Sequence, residues 1–204
     1  MANKKLVHIV DDEDAMRRST SYALKTSGYQ VTTWTSGTVF LKEVRHVEEG
    51  CILLDVRMPE IDGVEVQRVL AERGITMPVV IMTGHGDISL AVRAMRAGAV
   101  DFLEKPFEKA SLLNAIEMAF ERIAANAGGA ARTADAAVIL AGLTAREREV
   151  IEGLAKGLPN KTIAYDLGVS TRTVEVHRAN LMTKLGVRSL SEALRIAFAA
   201  GLGG

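Results

Sequence analysis

Five short apolar runs, each followed by a stretch of helical periodicity, fill the first 124 residues of this chain. The runs cover Leu6–Val10, Gln30–Trp34, 51–56, Val79–Thr83 and 100–104, and β-branched residues are frequent in them. Runs this short and this apolar predict strands buried on both faces. The amphipathic stretches fall at 14–27, 36–44, Gly63–Glu72, Ile88–Arg96 and 109–124. Strand–helix repeats of this kind predict a five-stranded, doubly wound parallel sheet with helices on both faces. In that architecture the chemistry sits at the carboxyl ends of the strands.

Composition shifts to Ala, Gly and Asn over 125–141, which predicts a linker. Beyond it the strand-like runs stop. Helical periods at 145–156, Asn160–Leu167, Thr171–Leu185 and 190–200 predict a small all-α domain. Gly157, Gly168 and Gly186 stand where helices need C-caps, and Ser170 where one needs an N-cap. The expected organisation is therefore a domain at 1–124, a linker at 125–141 and a second domain at 142–204. The front domain carries 15 basic and 18 acidic side chains, the rest of the chain 10 and 7. That asymmetry suits a polyanionic partner for the rear domain.

Cys51 is the single cysteine, so no intramolecular disulfide framework is available and a reducing compartment is expected. Its apolar neighbours Ile52, Leu53 and Leu54 predict a buried thiol. No window is long and apolar enough for a membrane span. The opening MANKKLVHIVDDED does not read as a signal peptide, and the expected location is the cytoplasm.

Asp11 and Asp12 follow the first run, and Asp55 follows Ile52–Leu54. In a parallel sheet these tips are neighbours, so three carboxylates converge and repel unless a cation lies among them. Mg²⁺ suits such oxygen donors and keeps waters for a phosphate. Thr83 and Lys105 end the fourth and fifth runs with a hydroxyl and an ammonium. Carboxylate nucleophile, metal, hydroxyl and fixed cation are what phosphoryl transfer needs. Asp55 is the expected nucleophile, because the paired Asp11 and Asp12 are better placed to hold metal.

The segments HIVDDE, LLDVRMPEIDG, IMTGHGD and AVDFLEKPF resemble the receiver domain of two-component response regulators, across all of 1–124. The resemblance implies a flavodoxin-like receiver whose Asp55 is phosphorylated by a sensor histidine kinase. It implies that Mg²⁺ is held by Asp11, Asp12, Asp55 and the main-chain carbonyl of Arg57. It further implies that Lys105 pairs with the phosphoryl oxygens across a cis Lys105–Pro106 bond. Thr83 would turn toward the phosphoryl group, and Phe102, at the position of a switch aromatic, would rotate into the vacated space. Phe102 has no hydroxyl, so its signal would be steric. Arg57 and His85 stand where the family tunes hydrolysis of the acyl phosphate.

In the rear domain, Asn160–Leu167, a break at 168–170 and Thr171–Leu185 have helix-turn-helix spacing. On a helical wheel Val174, His177, Leu181 and Leu185 share the inward stripe. Arg172, Glu175, Val176, Ala179 and Thr183 share the opposite one, with Asn180 at its edge. This face suits a major groove: Arg172 for phosphate or guanine, Glu175 for cytosine N4, Val176 and Ala179 for a thymine methyl. Lys161, Arg178, Lys184 and Arg188 are flanking cations suited to phosphates. His177 reads as a packed histidine.

The segment LTAREREVIEGLAKGLPNKTIAYDLGVSTRTVEVHRANLMTKLGVRSLSEALRIA resembles the LuxR-type DNA-binding domain. Together the two domains resemble response regulators of the NarL/FixJ class. GHGD, EKPF and RTVEVHRAN carry a resemblance to the nitrogen-fixation activators within it. That implies a FixL-like kinase, receiver dimerisation on phosphorylation, contact with RNA polymerase, and activation of nitrogen-fixation genes under low oxygen.

Three other readings stand beside this one. An aspartyl-phosphate phosphatase needs a second Asp two positions after the nucleophile, where this chain has Arg57. The helical domain of a phosphorylation-switched regulator can instead bind a protein or RNA. A regulator working without phosphate is the third, against which the complete set of Asp11, Asp12, Asp55, Thr83 and Lys105 argues.

Overall fold

The computed structural model describes residues 5–84, 88–126 and 139–203. The expected strands and helices form within two residues of their predicted ends. Strands β1 (Leu6–Val10), β2 (Gln30–Trp34), β3 (Cys51–Asp55), β4 (Val79–Thr83) and β5 (Asp101–Glu104) alternate with α1 (Asp14–Lys25), α2 (Gly37–Glu43), α3 (Gly63–Glu72), α4 (Ile88–Arg96) and α5 (Lys109–Asn126). Further helices follow among the described residues: α6 (Ala145–Ala155), α7 (Asn160–Leu167), α8 (Thr171–Leu185) and α9 (Leu190–Ala199). Two compact units result, 1–86 with 97–128, and 87–96 with 129–204.

The first unit is built on one parallel sheet in the order β2-β1-β3-β4-β5. The chain steps outward from β1 to β2, then returns to the other side of β1, so the strand order reverses between β1 and β3. A crevice at the carboxyl ends of strands opens at such a reversal. Val7, Ile9, Cys51, Leu53, Val80 and Met82 alternate onto one face, packed with Leu24 of α1 and Leu112 and Ile116 of α5. His8, Ile52, Leu54 and Ile81 alternate onto the other and are equally buried.

One expectation about the sheet fails. Strand β2 is not buried on both faces: it is the edge strand, and Gln30, Thr32 and Thr33 are exposed. The sequence QVTTW has the β-branched character of an inner strand, but only two of its five residues are strongly apolar.

Gly63 opens α3 immediately behind the tip of β3. A Cβ there would stand 2.3 Å from the Asp55 carbonyl oxygen, so the helix can start this close only on glycine. Asp62 caps the same helix, its carboxylate accepting from the Glu65 N–H at 2.8 Å.

The helical part of the second unit closes over Val150, Ile151, Leu154, Ile163, Val174, Leu181, Leu185 and Leu194, all buried. Thr144 and Glu147 form a capping box at the start of α6. Gly168 ends α7 in the left-handed region at φ 66°, Ser170 caps α8, and the two helices make the expected helix-turn-helix. Most of the linker expected at 125–141 lies outside the described residues, as does His85. No described helix is long and apolar enough to cross a membrane.

Candidate functional site

Pairing of Val10 with Leu54 sets the tips of β1 and β3 side by side. Carboxylate oxygens of Asp11, Asp12 and Asp55 consequently lie within 4.8 Å of one another. Asp11 is fully buried, Asp55 is 5% exposed, and Asp12 faces solvent. Asp11 Oδ1 accepts the Glu13 N–H at 2.8 Å.

Lys105 enters from the tip of β5, reached through the Lys105 N–H bond to the Thr83 carbonyl at 2.7 Å. Its ammonium lies 2.9 Å from Asp11 Oδ2 and 3.0 Å from Asp55 Oδ2. The Lys105–Pro106 bond is cis. Burial works against this ammonium, yet the two carboxylates outweigh it and raise its pKa. Asp55 also titrates above the ordinary carboxylate range: burial and the Asp11 charge exceed what Lys105 and the Arg57 N–H return. One ammonium thus pairs with two of the three clustered carboxylates, and the deficit of positive charge fits a hard divalent cation with oxygen ligands.

Thr83 is 3% exposed and ends β4 beside this cluster. The register pairs Thr83 with Glu104 and Ile81 with Phe102. Thr83 and Phe102 therefore turn to the same face of adjacent strands, with Phe102 half-buried one step back from the tip. Phe102 is not part of the carboxylate cluster.

On α8 the outward face is as expected. Arg172, Glu175, Val176, Ala179, Asn180 and Thr183 are all exposed, Val176 at 51%. Val174, Leu181 and Leu185 are buried and His177 is half-buried. The Thr183 hydroxyl donates to the Ala179 carbonyl at 3.0 Å. Lys161 and Arg188 are exposed. The other two flanking cations have partners inside the unit: Arg178 donates to Asn160 Oδ1 at 2.9 Å, and Lys184 Nζ lies 2.7 Å from Glu147 Oε2. The helical wheel missed both acceptors. The Thr144-x-x-Glu147 spacing, a capping-box signature, could have marked Glu147 as a structured carboxylate.

Residues 7–117 match the family described as response regulator receiver domain, and residues 141–197 match bacterial regulatory proteins of the luxR family. The transcriptional regulatory protein FixJ of Azorhizobium caulinodans is 49% identical over 196 residues, covering 96% of this chain and 93% of that protein. FixJ of Rhizobium meliloti is 46% identical, covering 97% of both. Crystalline full-length FixJ of B. japonicum matches with a TM-score of 0.60 at 45% identity, covering 97% of this chain and 98% of that one.

Proposed function

The chain belongs to the two-component response regulators that join a receiver to a luxR-type DNA-binding domain, and from that membership we propose that phosphorylation of Asp55 switches its activity. Members of this family are DNA-binding transcription regulators governed by sensor kinases, and they are not enzymes. The observation that carries the proposal is the Lys105 ammonium bonded to both Asp11 and Asp55 at the strand-order reversal.

An oxygen of Asp55 attacks the phosphorus of a phosphohistidine on the kinase. The O–P bond forms as the N–P bond breaks, and the released imidazole nitrogen takes a proton. Lys105 exchanges its bond to Asp55 for the phosphoryl oxygens and so neutralises charge that arrives with the group. Asp11, Asp12, Asp55 and the Arg57 carbonyl are the residues to hold Mg²⁺, which supplies the remaining positive charge when bound. The Thr83 hydroxyl donates to a phosphoryl oxygen, and Phe102 follows on the same sheet face as a steric signal.

The phosphorylated receiver dimerises through the surface of α4, β5 and α5, and two copies of α8 meet half-sites about one helical turn apart. Arg172, Glu175, Val176, Ala179, Asn180 and Thr183 read bases, while Lys161, Arg178 and Arg188 hold phosphates. The domain limits follow the same reading: receiver at 1–124, linker at 125–141, DNA-binding domain at 142–204. Identities of 45–49% to FixJ proteins support activation of nitrogen-fixation genes under low oxygen. They equally support a FixL-like kinase, contact with RNA polymerase and a cytoplasmic location.

The test is intact-protein mass after incubation with acetyl phosphate, with and without Mg²⁺. One Mg²⁺-dependent phosphoryl adduct, absent in Asp55→Asn, is expected. An adduct that persists in Asp55→Asn removes the nucleophile.

A further inference from the structure

Lys184 closes the last turn of α8, where its sequence position suggests a phosphate contact, but its ammonium is already engaged. Its Nζ lies 2.7 Å from Glu147 Oε2. The same Oε2 accepts the Thr144 N–H at 2.8 Å, and the Thr144 hydroxyl accepts the Glu147 N–H at 3.3 Å. Glu147 is 3% exposed. One carboxylate thus caps α6 and grips the C-terminal turn of α8 together. The Lys184 and Thr144 bonds hold this carboxyl far down, to about 2, so it stays charged throughout the physiological range.

We propose that Lys184 is a positioning residue, which through Glu147 fixes the angle of the recognition helix α8 on α6, and that it neutralises no DNA phosphate. The assignment rests on the DNA-binding reading of α8. Two physical arguments support it. A lysine paired with a glutamate presents no net charge, so it displaces no counterion from DNA. Moving the ammonium to a phosphate would also leave the Glu147 carboxylate with the Thr144 N–H but no counter-charge, which is costly for a group this little exposed. Lys161, on the neighbouring helix α7, offers the contrast: both lysines are exposed, but Lys161 has no ion-pair partner among the described residues.

The two roles separate in a salt titration. A phosphate contact weakens binding to every sequence alike and lowers the salt slope by about one unit when removed. A positioning residue misaligns base-reading side chains, so its loss lowers the preference for operator over random DNA and leaves the slope alone. The experiment measures binding of the full chain, treated with acetyl phosphate and Mg²⁺, to random duplex DNA and to an operator selected from a random library.

Lys184→Ala is expected to lower the operator-to-random affinity ratio by about tenfold with an unchanged slope. Lys184→Gln, whose amide can still donate to Glu147, recovers most of that ratio at the same slope. Lys161→Ala shows the opposite pattern, a slope lower by about one and an unchanged ratio. A melting curve of each variant guards against loss of the fold, and Lys184→Gln carries the slope test should Lys184→Ala unfold. A slope reduced by about one in Lys184→Gln, with the ratio intact, overturns the assignment. A wild-type chain with no salt-dependent affinity for duplex DNA overturns the DNA-binding reading, and the assignment with it.

Discussion

The Lys105 ammonium lies 3.0 Å from the Asp55 carboxylate, and the two side chains are only 16% and 7% exposed. The pair is nevertheless short of positive charge, because Asp11 shares the same ammonium at 2.9 Å. Burial and Asp11 hold the Asp55 carboxyl above its ordinary range. Asp55, the proposed nucleophile, is therefore kept at a cost to the fold, as functional groups often are.

Asp55→Asn removes one of the crowded anions. In Mg²⁺-free buffer its stability is expected to match or exceed that of the wild type, a change smaller than about 1 kcal/mol if it is a loss. The stabilisation that Mg²⁺ gives the wild type should shrink in the variant. Thermal unfolding with and without Mg²⁺ checks both. A marked loss in Mg²⁺-free buffer would mean that the Lys105 bond outweighs the crowding.

Gly63→Ala tests how tightly α3 is set behind Asp55. The new Cβ would stand 2.3 Å from the Asp55 carbonyl oxygen and 2.9 Å from the Val56 Cα, and backbone cannot swing aside as a side chain can. A loss of about 1–3 kcal/mol is expected, as for other overpacked sites. Phosphoryl uptake should slow as well, since the tip of β3 must shift. Urea unfolding and the rate of adduct formation report the two effects.

The strand tips were legible because each apolar run ends abruptly in a carboxylate, a hydroxyl or an ammonium, and parallel strands align such ends. Asp11, Asp55, Thr83 and Lys105 could be placed on that basis. The exposure of β2 was not legible: Val31 and Thr32 satisfy the same β-branched preference at an edge as in the middle of a sheet. The partners of Arg178 and Lys184 were illegible for a different reason. A helical wheel sorts one helix into faces, but it cannot say that α7 offers Asn160 and α6 offers Glu147 to meet them.

His8 makes part of the first unit acid-sensitive. The Trp34 indole N–H can only donate, so His8 Nδ1, 3.4 Å away, must accept; Nε2 then carries the proton and donates to the Glu48 carbonyl at 2.8 Å. The bonded ring is neutral, and burial lowers its pKa below 6.5. The unfolded chain therefore binds more protons than the folded one below pH 6.5. Stability is fully present above that value and falls as pH drops toward the folded pKa. Urea unfolding at neutral and mildly acidic pH should reveal the loss. His8→Leu should be less stable at neutral pH but should lack this portion of the pH dependence.

Val176 stands 51% exposed in the middle of α8, flanked by Glu175 and one turn from Ala179 and Asn180. An apolar side chain held out of the core on a helix whose inward stripe is complete gains nothing in the free protein. It gains on burial against another surface, and a thymine methyl in a major groove is such a surface. Val176→Glu places a carboxylate there instead, beside Glu175 and facing phosphates. Operator affinity should fall by at least about a hundredfold, through lost apolar contact and added repulsion. Because residue 176 is exposed, the melting temperature and the Asp55 adduct should not change. Fluorescence anisotropy with operator DNA, beside intact mass after acetyl phosphate, separates these effects. Unchanged operator binding would show that a different face of α8 meets the DNA.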